Sequence, residues 1–92
     1  MQITIRYEAQ AKHAAGVDSE TIDVDEPCRV IDCLQQIANT HADTLKSILL
    51  NAEGKIQPTL LLFREDEQIS KEDDTELSDG DTLTIMTPIS GG

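Results

Sequence analysis

Polar and apolar residues alternate along three short stretches of the chain, and this period of two is typical of strands with one buried face. The first stretch runs from Gln2 to Glu8, the second from Glu20 to Val24, and the third begins at Thr82. The first two are close in sequence and are predicted to pair as a hairpin. The third is expected to end before Pro88, because proline lacks the backbone N–H that a central strand needs.

The spacing of apolar residues changes to a helical one after Pro27. From Cys28 to about His41, apolar residues recur at the period of an amphipathic helix, which must bury its apolar face against the sheet. A second helical run is predicted from Ala42 to Leu50, and Gly54 follows it as a stop signal.

The remaining segments carry weaker signals. Ala9 to Ser19 contains Gly16 and is predicted to be a loop or a broken turn. Thr59 to Phe63 is predicted to be a strand, but its continuous apolar run does not show which face is buried. From Glu65 to Asp81, nine residues are acidic and only Lys71 is basic, which favours a solvated segment with one short strand.

Composition indicates one small domain with an aliphatic core. The 92 residues include one tyrosine, one phenylalanine and no tryptophan. A formal net charge of −11 at pH 7 would repel nucleic acid and anionic membranes, and favours a basic protein surface as partner. No apolar run is long enough to span a bilayer and the N-terminal residues lack the form of a signal peptide, so we expect a cytoplasmic protein.

Few side chains are candidates for catalysis or metal binding. Cys28 and Cys33 would point about 140° apart on a helix, so no disulfide is expected between them. His13 and His41 stand at no recognisable metal spacing, and we expect no metal. We interpret these four residues as packing and surface positions, and a catalytic or metal-bound thiol is the alternative.

The last five residues, 88–92, are predicted to form a short tail after the final strand. Gly91 and Gly92 have no Cβ atom, so the backbone beside the terminal carboxylate could enter a slot too narrow for any other residue. We interpret the Gly92 carboxylate as the reactive group. The alternative is a frayed terminus, because small residues collect at chain ends.

The predicted order of elements, with DGD before the last strand and GG at the end, resembles the prokaryotic ubiquitin-like sulfur-carrier family, the MoaD/ThiS-like proteins. The resemblance covers essentially the whole chain, and its clearest segments are MQITIRY and LSDGDTLTIMTPISGG. It implies an α+β protein with the β-grasp fold over residues 1–87 and a flexible tail over 88–92. In that fold a mixed sheet of four to five strands is crossed by one main helix plus a short second helix, with the first and last strands parallel neighbours.

The resemblance also implies specific chemistry at Gly92. An E1-like enzyme would adenylate its carboxylate with ATP, and a persulfide would convert the acyl-adenylate to a thiocarboxylate. An acceptor synthase would then use the sulfur in cysteine, molybdopterin or thiamine biosynthesis. The length and the middle of the chain look most like the cysteine-pathway carrier (CysO-like), and the small subunit of molybdopterin synthase is the close alternative. The chain would be no enzyme itself and would bind no cofactor stably, since its partner consumes the ATP.

A partner surface follows from aligning the strand alternation on the ubiquitin-like pattern, which places Leu61 and Phe63 in the core. The predicted partner-binding residues are those left on the open face of the sheet and two residues of the tail: Leu60, Leu62, Met86, Pro88 and Ile89. The alternative is that a loop or a second copy of the chain covers this face.

Two other classes of function fit the same residues. A ubiquitin-like modifier would attach Gly92 to a lysine amine after the same activation. A structural subunit would carry an inert tail, and deletion of both glycines would leave its function intact.

Overall fold

The computed structural model describes residues 1–41, 43–70 and 75–87. The predicted tail, 88–92, lies outside the described residues. The elements in chain order are β1 (Gln2–Ala9), α1 (Gln10–Ala15), β2 (Ser19–Asp23), β3 (Cys28–Arg29), α2 (Val30–Thr40), α3 (Asp43–Leu49), β4 (Leu61–Arg64), β5 (Glu67–Ile69), β6 (Glu76–Leu77) and β7 (Thr82–Thr87).

Five of the strands form one mixed sheet in the order β2-β1-β7-β4-β5. The first hairpin pairs β1 with β2 antiparallel, and β7 lies parallel to β1 in the middle of the sheet. On its other side β7 pairs antiparallel with β4, which pairs antiparallel with β5. The predicted β-grasp fold, with parallel first and last strands, is confirmed.

The core lies between the sheet and α2, as the two periodicities predicted. Ile5 of β1 stands opposite Leu83 of β7, and Tyr7 stands opposite Ile85. All four are buried, and α2 covers the same core with a stripe of buried side chains: Val30, Cys33, Leu34, Ile37 and Ala38. Among the described residues, no helix has the length and apolar character needed to cross a membrane.

The main helix begins two residues later than predicted. Cys28 is extended and stands opposite Leu77, so it belongs to the small β3–β6 ladder. Arg29 is the N-cap of α2, and its backbone N–H donates to Oδ2 of Asp32 at 3.0 Å. This carboxylate is half of a capping box, and it satisfies a donor that the first turn of the helix would otherwise leave unpaired.

The segment predicted as a loop between β1 and β2 contains a short helix, and that prediction is wrong for α1. Only Ala11 of its six residues is buried, so α1 lacks the apolar stripe that reveals a helix in a sequence. Gly16 ends it in the left-handed conformation, with φ 79°, and donates its N–H to the carbonyl of Lys12 at 2.9 Å. Glycine adopts this conformation without strain.

The predicted faces of β4 are inverted. Leu60 and Leu62 have 0% of their surface exposed, whereas Leu61 and Phe63 are only partly buried. The physical reason is the register with β7: Leu62 stands opposite the core residue Ile85. Residues directly opposite in a ladder share a face, so Leu62 must point into the core. Leu60 and Leu62 are therefore core residues and do not lie on the open face.

Candidate functional site

The fixed point from which the predicted tail departs is Thr87, the last residue of β7. It is paired with Ala9 at the end of β1, in the middle of the sheet. Its side chain is only 6% exposed, and it is the one buried polar or charged residue among those the structure describes. Oγ1 of Thr87 accepts a hydrogen bond of 3.1 Å from the backbone N–H of Ala11 in α1. The chain is thus held by both backbone and side chain five residues before Gly92.

The residues predicted to react, and the two tail residues predicted to bind the partner, lie outside the described part of the chain. These are Gly91 and Gly92, together with Pro88 and Ile89. The structure describes β7, the strand that precedes them in the sequence, as far as Thr87.

An apolar cluster lies on the open face of the sheet, on the side away from the helices. Leu61 of β4 stands opposite Met86 of β7, and Phe63 stands opposite Thr84. We call Leu61, Phe63 and Met86 the open-face patch. All three are half-buried, and Met86 directly precedes Thr87. Met86 was predicted on this face, whereas Leu61 and Phe63 take the places predicted for Leu60 and Leu62.

Two charged residues of β1 flank the open-face patch. Glu8 stands opposite Met86, and Arg6 stands opposite Thr84. The Arg6 guanidinium and the Glu8 carboxylate form an ion pair of 3.6 Å, with 59% of the Arg6 side chain and 40% of the Glu8 side chain exposed. The patch is therefore apolar at its centre and polar at its margin, as is typical of protein interfaces.

A cluster of three titratable side chains lies on the helix-covered face, away from the open-face patch. Tyr7 donates its hydroxyl to Oε2 of Glu20 at 2.6 Å, and Nε2 of His41 lies 2.5 Å from the same oxygen. The rings of Tyr7 and His41 meet edge to face with centroids 6.0 Å apart. Burial, and then the bond to Glu20, raise the pKa of Tyr7, so the phenol keeps its proton and remains a donor.

Sequence reasoning missed this cluster and treated His41 as a surface or packing residue. The available signal was the alternation in β2, which places Glu20 opposite Ile5 and hence on the buried face. A carboxylate at such a position needs partners. The cluster satisfies that need and joins β1, β2 and the end of α2.

The two cysteines are buried free thiols. Burial raises the pKa of the Cys28 thiol and raises that of Cys33 to about 12. A thiol nucleophile acts as its thiolate, so these pKa shifts oppose a nucleophilic role near neutral pH. Within the described ranges, no group of three or more histidine, cysteine or acidic side chains is arranged to hold a metal ion.

Comparison with known proteins agrees with this geometry. The chain is 29% identical over 92 residues to the molybdopterin synthase sulfur carrier subunit of Chlamydomonas reinhardtii, and the alignment covers 100% of both chains. Among solved structures, SAMP1 of Haloferax volcanii has a TM-score of 0.87 at 24% identity, covering 100% of both chains. The BexX/CysO complex of Amycolatopsis orientalis contains a chain with a TM-score of 0.71 at 24% identity, covering 98% of this chain and 99% of that one. These two structures establish the similarity of fold.

The sequence also matches a protein family over nearly its whole length. The match is to the ThiS family and extends over residues 5–92, so it includes both the sheet that carries Thr87 and the Gly-Gly end. The resemblance inferred from the sequence is thereby confirmed, and the chain belongs to the ThiS family of ubiquitin-like sulfur carriers.

Proposed function

We propose that the chain carries sulfur as a thiocarboxylate on Gly92, after an E1-like enzyme has activated the carboxylate. The observation that carries this proposal is the ThiS family match, which continues through residue 92. The Chlamydomonas relative supports it, since the alignment covers that protein completely. The position of Thr87 supports it too, because a buried anchor five residues before Gly92 suits a chain end that is presented to a partner.

The chemistry requires activation because a free carboxylate is a poor acyl donor. The Gly92 carboxylate would attack the α-phosphorus of ATP, giving an acyl-adenylate and pyrophosphate. A persulfide sulfur on the activating partner would then displace AMP, giving an acyl disulfide. A second thiolate of the activating partner would attack the partner-side sulfur of that disulfide, which releases the thiocarboxylate and leaves a disulfide on the partner. The chain contributes the carboxylate, and the partner contributes the catalytic groups and uses the ATP, so we propose no resident cofactor.

The open-face patch is the surface that we propose for partner docking. Its three apolar side chains lie on the face that the helices leave uncovered, next to the strand that leads into the tail. The activating enzyme and the acceptor synthase must both reach Gly92, so they would use this surface in turn. The unbranched side chain of Met86 suits a surface that adapts to two partners. The net charge of −11 favours partners with a basic rim.

The acceptor that we propose to test first is the large subunit of a molybdopterin synthase. The Chlamydomonas relative is named as the sulfur carrier subunit of that enzyme. A cysteine synthase-like enzyme and a thiazole synthase are the other two acceptors that the family resemblance implies.

Substitution of Gly91 tests the proposal at the tail. Gly91→Val should lower ATP–pyrophosphate exchange by the activating enzyme of the same organism by about 100-fold, because a misplaced reacting group can lose that much rate. Ser90→Val is the matched control, since it adds bulk one residue earlier and leaves the Gly-Gly pair intact. Normal exchange with Gly91→Val would contradict the proposed threading of Gly92 into a narrow channel.

A further inference from the structure

We propose that Thr87 is a positioning residue whose hydroxyl ties α1 to the end of β7 and so sets the direction in which the chain leaves the sheet towards Gly92. This inference rests on the proposed carrier function. It assigns a role to Thr87, a polar residue at a position of β7 where the alternation of the strand predicts an apolar side chain.

The anomaly lies in the burial pattern of β7. Leu83, Ile85 and Thr87 are the three buried positions of the strand, and the first two are aliphatic core residues with 0% exposure. At 6% exposure, a valine would have the same branched shape at the third position without a polar atom to satisfy. The hydrogen-bond partner of the hydroxyl must therefore explain why a threonine stands at this buried position.

The hydroxyl binds a donor that the chain does not satisfy locally. The first N–H groups of a helix have no partner within it, and the usual partner is the side chain of the N-cap residue. The N-cap of α1 is Ala9, which has no such side chain. Oγ1 of Thr87 takes this role for the N–H of Ala11, across 76 positions of sequence. Ala11 is 0% exposed, so water is poorly placed to substitute.

Ala9 adds a second, independent observation at the same place. Its φ of 56° and ψ of −130° form a conformation that glycine adopts freely and that strains a residue with a Cβ. Strained residues persist where their surroundings fix them, and they cluster at functional positions. Ala9 stands opposite Thr87 in the ladder, so the strained turn from β1 into α1 lies level with the end of β7.

These two features lock three elements together at the root of the tail. The backbone of Thr87 is held by the ladder to β1, and its side chain is held by α1, which packs against both strands and against α3. Without the hydroxyl, α1 would lose its side-chain hydrogen bond to β7, and the end of the strand would lose one of its two restraints. The open-face patch lies on the other side of the sheet and would be unaffected.

Substitutions that keep the shape of Thr87 and remove its hydroxyl test this inference. In Thr87→Val, the amide of Ala11 should exchange its hydrogen at least about tenfold faster than in the wild type, while amides in the middle of β1 and β7 stay protected. In ATP–pyrophosphate exchange with the activating enzyme of the same organism, kcat should fall about tenfold, because the reacting carboxylate is less well oriented. KM for the carrier should stay within about twofold, because docking through the open-face patch is retained.

Three further variants make the result decisive. Thr87→Ser keeps the acceptor and should restore both protection of the Ala11 amide and kcat. Thr21→Val removes a solvated hydroxyl of β2 whose oxygen lies 3.5 Å from the hydroxyl oxygen of Thr4. It should change neither the protection of the Ala11 amide nor kcat. Thr87→Ala removes the acceptor with less bulk and replaces Thr87→Val in the comparison if that variant does not fold.

The inference is supported if kcat follows the protection of the Ala11 amide across the variants that fold. It is overturned if Thr87→Val or Thr87→Ala raises exchange at Ala11 and leaves kcat at the wild-type value. It is equally overturned if either variant leaves the Ala11 amide as protected as before. A wild-type chain that supports no exchange with the activating enzyme would overturn the proposed function instead, so the two failures are distinguishable.

Discussion

At the scale of single residues, Glu20 joins the sheet to the end of α2 through hydrogen bonds. One oxygen of its carboxylate is shared by the hydroxyl of Tyr7 and the imidazole of His41. Tyr7 is 2% exposed, so loss of this acceptor would leave its phenol buried without a partner. An unsatisfied buried donor is more destabilising than the net gain from an ordinary hydrogen bond.

We therefore expect Glu20→Ala to lower the free energy of unfolding by about 1–3 kcal/mol. Glu67→Ala is the matched control, because it removes an exposed carboxylate from β5 of the same sheet and should change stability by less than about 0.5 kcal/mol. Urea unfolding at neutral pH measures both. Equal stability of the two variants would show that the Tyr7–Glu20–His41 cluster contributes little.

The buried thiol of Cys33 should make the free energy of unfolding depend on pH in the alkaline range. Burial raises the pKa of its thiol from an ordinary 9.0 to about 12, so between these values the folded chain keeps a proton that the unfolded chain loses. The unfolded state then binds fewer protons, and the free energy of unfolding falls as pH rises from 9 to about 12. The expected slope from this group is at most about 1.4 kcal/mol per pH unit.

Urea unfolding under reducing conditions, just below pH 9 and one unit above it, measures this slope. Cys33→Ala should be less stable at the lower pH, and it should lose less stability between the two. If the free energy of unfolding fell equally with pH in the wild type and in Cys33→Ala, the raised pKa of the Cys33 thiol would not be the cause of the pH dependence.

At the scale of elements, the two faces of β4 have different surroundings. Leu62 packs in the core opposite Ile85, while Phe63 lies on the open face opposite Thr84. Leu62→Asp should abolish folding, because it buries an unpaired charge. Phe63→Asp should leave the melting temperature nearly unchanged and weaken binding to the activating enzyme by about 2 kcal/mol if Phe63 is a hot spot.

Thermal unfolding and titration calorimetry of the two variants test this assignment. The neighbouring substitution Gln68→Asp introduces the same charge beside Phe63 in the ladder and serves as the control for charge alone. A folded Leu62→Asp, or a Phe63→Asp that binds as tightly as Gln68→Asp, would contradict it.

The elements that the sequence predicts well are those with an unbroken period. In β1 and β7 the alternation of polar and apolar residues shows which face of each strand is buried, and the apolar stripe of α2 shows the buried face of the main helix. The apolar run at β4 contains no polar residue that would mark its exposed face, so only the register with β7 decides which face is buried. In α1 a single buried alanine leaves no period to detect, and the signal that was available is Gly16 as a C-cap.

Less of the candidate site than of the fold could be predicted, because only some of its features are local in the sequence. The Gly-Gly end and the place of Met86 on the open face are visible in the sequence, because the first is a local motif and the second follows from the alternation of β7. The bond from Ala11 to Thr87 and the shared carboxylate of Glu20 join residues far apart in the chain. Such contacts depend on which strands are neighbours, and no local pattern encodes that.

At the scale of the whole molecule, the charge balance predicts how partners are found. The formal net charge is −11, and the acidic run from Glu65 to Asp81 contributes much of it. This acidic excess should steer the carrier towards basic surfaces. Its association rate with the activating enzyme should therefore fall as added salt shortens the electrostatic screening length to about 8 Å and below. Stopped-flow association at several ionic strengths measures it. A rate independent of salt would contradict electrostatic steering.

The topology of the whole molecule fixes the position of Thr87, the last described residue before the proposed reactive end. Because β7 is central, it pairs with β4 as far as Met86 and, in parallel, with β1 as far as its last residue, Thr87. The family resemblance predicted this parallel pairing, whereas the alternation of residues predicted only that both strands exist. A central strand is the most rigid part of a sheet, and it suits the presentation of a chain end to large partners.

Intact-mass spectrometry of the chain purified from its own host tests most directly whether Gly92 carries sulfur. Replacement of one carboxylate oxygen by sulfur should raise the mass by about 16 Da. Fragmentation should place the added mass at Gly92, and Gly91→Val should lack it. Protein that carries no such increase when isolated from cells that express the activating enzyme would contradict the claim, and chains joined through Gly92 to lysines of other proteins would indicate a modifier instead.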